Sequence, residues 1–132
     1  MKRMPSARGS AEAASRQKKP RRAVSIVFRS ERTFQNSIMR LAIESGWLGY
    51  CHPDSRKSAS ISTPGFPDIF LLKPGRVVIM ETKMPKNKAH DDQLIWLTIL
   101  YSLLSILSSI RLTIGVFYPD DWPEIERIIK EE

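Results

Sequence analysis

Three ionisable side chains stand at the ends of one apolar stretch, GFPDIFLLKPGRVVIMETK, residues 65–83. Asp68 lies near its start, and Glu81 and Lys83 close it. Carboxylates set among Ile, Leu, Val and Phe are costly to bury unless something offsets their charge. Two runs of β-branched and apolar residues, Ile69 to Leu72 and Val77 to Thr82, flank Lys73-Pro74-Gly75-Arg76, a pattern that predicts a hairpin. A turn symmetric about Pro74 and Gly75 sets Leu72 opposite Val77 and Asp68 opposite Glu81. Like charges opposed on a sheet destabilise it by up to about 1 kcal/mol, so the pair asks for a cation. Glu81 and Lys83 share one face of their strand, and Thr82 takes the other. Oxygen donors of this kind suit Mg²⁺ or Mn²⁺ rather than zinc. A salt bridge from Lys83 to Asp68 or Glu81 explains the same spacing with no metal, and spacing alone does not separate the two.

The elements that must position this hairpin follow from periodicity and punctuation. Ser30 stands as an N-cap before Phe34, Ile38, Leu41 and Ala42, which recur at helical spacing until Gly46. Trp47 to His52 is short and aromatic, a strand, and Ala23 to Phe28 is either a short strand or a lead-in. Pro53 to Pro64 reads as a polar loop and Met84 to Ala89 as a basic one. Asp91 or Asp92 caps a second helix from Gln93 to Ser108. Leu112 to Tyr118 forms a strand, and Asp121 with Pro123 starts a last helix through Ile129. The order α, β, β, β, α, β, α predicts an α/β fold.

The second helix stands apart, because Gln93 to Ile110 contains no charged residue. It falls short of the roughly 20 apolar residues of a membrane span. Thr98, Ser102, Ser105 and Ser109 form a small polar stripe along it, so the expectation is a buried helix packed on a neighbouring helix or on a second subunit.

A chain of 132 residues supplies one core, and 42% hydrophobic with 27% charged residues excludes disorder throughout. The lone Cys51 excludes an internal disulfide framework and a cysteine-rich zinc site. No apolar leader opens the chain, which fits an intracellular, cytoplasmic setting. The net charge of +7 sits in residues 1–22, where eight Lys and Arg face Glu12 alone, and the remainder is neutral. Residues 1–22 therefore read as a disordered basic tail and 23–132 as the folded domain. Such a tail either attracts a polyanion at long range or merely solubilises the chain.

Gly65-Phe66-Pro67-Asp68, then Glu81-Thr82-Lys83, then Gln93 on the next helix, resemble the PD-(D/E)xK nuclease pattern, above all its VRR-NUC group, over roughly Ser30 to Ile129. The resemblance implies a restriction-endonuclease-like core, a mixed central sheet flanked by helices. It implies a Mg²⁺-dependent endonuclease, with Asp68, Glu81 and the backbone carbonyl of Thr82 holding the metal. Lys83 would orient the attacking water and offset charge on the phosphate. Gln93 would hydrogen-bond that water or Lys83, and Glu31, one turn from Gln35, would reach the metal through water. His52, Arg56, Lys57, Lys86 and Lys88 would lie against DNA. Plainer roles compete: first-turn residues for Gln93 and Glu31, a structural histidine at His52, solvated surface for the bases. A long second helix and Ser108-Ser109 depart from the family pattern. The expected substrate is branched DNA such as four-way junctions, cut by a homodimer joined through the apolar helix. The rivals are a nucleic-acid-binding protein with a degenerate nuclease fold and a protein held at a membrane by residues 93 to 110.

Overall fold

The computed structural model describes residues 27–52 and 61–131. The basic tail, most of the Ala23 to Phe28 segment, and the loop bearing Arg56 and Lys57 lie outside the described residues. Helix α1 spans Glu31–Glu44, followed by strands β1 (Leu48–Cys51), β2 (Ile69–Lys73) and β3 (Arg76–Thr82). Helix α2 (Asp91–Leu104), strand β4 (Arg111–Phe117), a 3-10 turn (Pro119–Asp121) and helix α3 (Trp122–Lys130) complete the order, which is the expected one. Val27 and Phe28 form no strand, and Phe28 packs against Phe34 and Trp122.

Ser30 caps α1 as its position demands: its hydroxyl accepts from the Thr33 amide, and the Ser30 amide donates to the Thr33 hydroxyl, each at 3.1 Å. This starts the helix so that Phe34, Ile38 and Ala42 face the core. The chain then turns through Gly46, whose positive φ a side chain would resist, into β1.

The four strands form one mixed sheet in the order β1-β2-β3-β4. Strands β1, β2 and β3 are antiparallel, and β4 runs parallel to β3. Leu72 pairs with Val77 and Ile69 with Met80, the register of a turn centred on Pro74 and Gly75. Gly75 has φ +76, as the third position of a type II turn requires. The pairing ends at Ile69 and Met80, one step short of Asp68 and Glu81, and the Asp68 amide donates to the Met80 carbonyl at 3.1 Å.

Strand β3 is the central member and is covered on both faces. Val78 and Met80 join Phe34, Ile38, Ile69, Leu71, Ile125 and Ile129 in the main core beneath α1 and α3. On the opposite face Ile79 meets Leu97, Leu112 and Ile114 in a smaller core beneath α2. This alternation fixes where the end of β3 points, with Glu81 toward α2 and Thr82 toward α1.

Helix α2 corrects three expectations. It begins at Asp91 with His90 as the cap residue, so neither Asp91 nor Asp92 is the cap. It ends at Leu104 rather than Ser108, because Ser105 to Ile110 turn back to start β4, where the Arg111 amide donates to the Gly75 carbonyl. The helix is therefore 14 residues long. Nor is the helix buried: only Leu97 is, since a single helix lying over β3 and β4 can present one narrow side to them. Among the described residues no helix is long and apolar enough to cross a membrane.

The hairpin also caps α3 at a distance. Arg76, nearly buried, donates from Nη1 to the Glu131 carbonyl at 2.7 Å and from Nη2 to the Ile128 carbonyl at 2.8 Å. Trp47 donates its indole N–H to the Ile129 carbonyl at 2.9 Å and lies under the Arg76 guanidinium. The carbonyls left over at a helix end thus find donors from the other side of the core. Trp47→Phe should cost about 1 kcal/mol through one lost bond, and Arg76→Met about 2–3 kcal/mol through two orphaned carbonyls. Urea unfolding of both variants, with the slope unchanged, checks the ranking.

Candidate active site

Asp68, Glu81 and Lys83 meet at one end of the sheet, where β3 finishes and the chain enters β2. Glu81 is 1% exposed, although it is a carboxyl. Its Oε2 accepts from Gln93 Nε2 at 2.7 Å and lies 3.9 Å from Lys83 Nζ. Its Oε1 is buried and has no hydrogen-bond partner. Burial, and after it the carboxylate of Asp68, push the Glu81 carboxyl up to about 9 against the pull of Lys83, with Glu31 acting in the same direction. A neutral Glu81 donates to Asp68 and so relieves the repulsion. An ionised Glu81 needs a cation beyond Lys83.

Gln93 reaches this point by a local device. As the third residue of α2 it accepts from the His90 amide through Oε1 at 2.7 Å and donates to Glu81 through Nε2. The helix-terminal role and the site role are one conformation, and its partner is Glu81 rather than Lys83. Gly65 makes the approach possible. It has φ +102, and a Cβ there would stand 2.7 Å from the Asp92 carbonyl group and 2.9 Å from the Gln93 amide. Backbone cannot yield at that distance, so a side chain at 65 would drive the loop bearing Asp68 away from α2.

On the other face of β3, Thr82 is a hub. Its amide donates to Asp68 Oδ2 at 2.9 Å, and its hydroxyl lies 2.8 Å from the same oxygen and 3.2 Å from Glu31 Oε2. Gln35 Nε2 donates to the Thr82 hydroxyl at 2.8 Å and to Glu31 at 3.2 Å. With a single proton to give, the hydroxyl favours Asp68, the shorter contact. Asp68 is therefore held by Thr82 on one side of the strand while it faces Glu81 on the other. Cys51 donates to Gln35 Oε1 at 3.6 Å, and burial, followed by Asp68, pushes its thiol up, which favours the protonated form. Sequence reasoning gave Thr82 only a carbonyl role and assigned Cys51 none. Alternation along the two strands was the available signal, since it sends both side chains toward α1.

The remaining candidates flank this cluster. His52 continues the β1-β2 ladder, donating its amide to the Asp68 carbonyl at 2.6 Å, and its ring meets Phe66 edge-on. Lys86 and Lys88 are exposed on the loop after Lys83. Lys86 has φ +76, a left-handed conformation that costs a side chain about 1 kcal/mol. The turn is held by the Asn87 amide on the Met84 carbonyl and by the Tyr118 hydroxyl on the Asn87 carbonyl. Arg56 and Lys57 lie outside the described residues.

Among the described residues no three His, Cys, Asp or Glu side chains form a ready cation cage. Mg²⁺ does not need one, since it is commonly held by one or two carboxylates together with waters and substrate phosphate. Asp68 and Glu81 with a buried, partnerless oxygen fit that manner of binding. The chain matches no family model, no curated protein and no solved structure.

A glutamate in the unfolded chain titrates near 4.5, against about 9 for Glu81 in the folded state. Between those values the folded protein holds a proton the unfolded chain has released, so stability from this group is greatest below the lower value and declines as pH rises toward the upper. Glu81→Gln removes the decline. With chelator at about pH 8 the variant should melt several degrees or more above the native chain, and the difference should vanish under acid. Thermal melts of both proteins across pH measure it.

Proposed function

We propose that the chain is a Mg²⁺-dependent deoxyribonuclease of the VRR-NUC type, built on a restriction-endonuclease-like core and hydrolysing phosphodiester bonds. The observation that carries this reading is the buried Glu81 carboxyl, one oxygen without a partner, set against Asp68 with Lys83 beside it. Asp68 and Glu81 would hold Mg²⁺, with the Thr82 carbonyl as a further donor. Bound there, Mg²⁺ would supply Lewis acidity at a phosphate oxygen and acidify a water.

The side chains divide the other tasks. Gln93 fixes the Glu81 carboxyl through Oε2, and Thr82 fixes Asp68 through Oδ2. Lys83, 3.9 Å from Glu81, orients the attacking water and balances charge that develops on the phosphate. Glu31 stands behind Thr82, 3.2 Å from its hydroxyl, and would reach the metal through water. Lys86 and Lys88, exposed beside Lys83, suit phosphate contacts rather than base edges, so recognition would rest on DNA shape. Branched DNA such as a four-way junction is the substrate this favours. Paired cuts on it require two sites, hence a homodimer.

Cleavage of labelled junction, flap, single-stranded and linear duplex DNA, with Mg²⁺ and with chelator, tests the proposal. Asp68→Asn and Lys83→Ala should each lower the rate at least about a hundredfold while DNA binding persists. Undiminished cutting by both variants would refute the site. DNA that is bound while no substrate is cut would turn the reading toward a non-catalytic nucleic-acid-binding protein.

A further inference from the structure

Helix α2 lies over β3 and β4, and the same side of β1 and β2 meets solvent. Leu48 and Tyr50 of β1 pair with Leu72 and Phe70 of β2, so the four side chains share that side. Leu48 is 74% exposed, Tyr50 52% and Leu72 44%. Rings make up the part of this surface nearest the candidate site. Phe66 is at their centre, stacked on Phe70 with 5.3 Å between centroids, and met edge-on by Trp96 at 5.0 Å and by His52 at 5.4 Å. Tyr50 continues the row 6.5 Å beyond His52. The Trp96 indole is itself fixed, donating its N–H to the Pro64 carbonyl at 3.0 Å. A row held on so many sides is ordered before any ligand arrives.

The row leads to Asp68. Phe66 precedes it by two residues, and the His52 amide donates to its carbonyl. Packing accounts for Phe66 and Phe70, which are partly buried against their neighbours. It does not account for Tyr50, a large ring more than half exposed on an outer strand.

We propose that this face of β1 and β2 binds single-stranded DNA, whose bases stack on Tyr50 and His52 while Phe66, Phe70 and Trp96 hold those two rings in place. Charge selects the occupant. Neither β1 nor β2 contains a carboxylate. Residues 1–22, which carry the charge of +7, precede α1, and the first turn of α1 reaches Thr82 through Glu31 at the end of the sheet where the row finishes. A polyanion is therefore drawn to this end. The rings then select an unpaired strand, because every base has an aromatic face and only an unpaired strand can offer it to a protein. Tyr50 and His52 are separated by about twice the roughly 3.4 Å step of a duplex strand, which suits bases pulled apart from one another. The choice of DNA rests on the nuclease reading, in which a strand stacked on this row brings its next phosphates to Asp68 and Glu81. The preferred substrate would then carry unpaired nucleotides beside the bond that is cut.

Anisotropy titration of the full chain with a labelled short oligothymidylate and with a duplex of equal length, both in chelator, tests binding apart from any cutting. The native chain should hold the single strand at least about tenfold more tightly than the duplex. Tyr50→Leu keeps apolar area and removes the ring, and it should weaken single-strand binding about tenfold while duplex binding stays unchanged. The salt dependence of single-strand binding should not alter, since a stacking ring neutralises no phosphate. Tyr50→Phe should bind as the native chain does, and Tyr50→Trp should add indole fluorescence that the single strand quenches. Equal affinity for the two DNAs, or native affinity in Tyr50→Leu, would overturn the proposal. So would a native chain that binds no DNA and forms a dimer that Tyr50→Glu disperses in sedimentation, which would give the face to a second copy. Selective single-strand binding with no cleavage in Mg²⁺ would remove the nuclease reading and leave this one standing. Cleavage with no preference for the single strand would do the reverse.

Discussion

A carboxyl group without access to water, at the end of the central strand, governs the arrangement around it. Strand β3 is covered on both faces, so any side chain at its C-terminal end is drawn out of solvent. At position 81 that side chain is a glutamate, and each neighbour answers a part of the resulting cost. Gln93 supplies a hydrogen bond, Lys83 a nearby positive charge, and Asp68 either a repulsive partner or an acceptor, according to whether Glu81 is ionised. Thr82, one residue on, sends its hydroxyl through the opposite face and fastens Asp68 from behind. Two polar networks thus lie back to back on one strand and share a single aspartate.

The precision of that sharing depends on backbone approach as much as on side chains. The loop from Gly65 to Asp68 presses its glycine onto the first turn of α2, so that Asp68 and Gln93 reach Glu81 from different directions. The first turn of α2 is anchored to the site, while its middle and end rest on a core of only four fully buried residues. One helix is therefore polar and positioned at one end and apolar and uncovered along its length.

Farther away, the same hairpin stabilises the opposite end of the sheet. The Pro74-Gly75 turn brings Arg76 and Trp47 together beneath the last turn of α3, where they satisfy carbonyls that the helix cannot. The guanidinium lies over the indole ring, which shields it from water and lets its donors point to backbone oxygens. Burial there holds the Arg76 guanidinium below its usual range, with the neighbouring Arg111 acting in the same sense and Glu131 against it. Strand β3 thus begins in a buried cation that closes a helix and ends in a buried acid at the candidate site.

The element order, the hairpin register and the face of each β3 residue were legible from the amino acids alone. Each follows from local rules: alternation along a strand, the turn that Pro-Gly selects, and the cap that Ser30 provides. The meeting of Asp68 with Glu81 was legible for the same reason, because only a two-residue turn separates their strands. Tertiary structure decided the rest. How deeply Glu81 is buried depends on α2 and β4, and the Thr82 hydroxyl acquires its role from Glu31 and Gln35 on a helix some fifty residues earlier. Helix α2 read as buried because its sequence is apolar throughout, yet exposure is decided by how many elements cover a face, and one sheet covers only one side. Arg76 gave no local sign of its target, since its partners belong to the far end of the chain. Patterns within a strand or turn are set by neighbours in sequence, and burial, charge and partnership by neighbours in space.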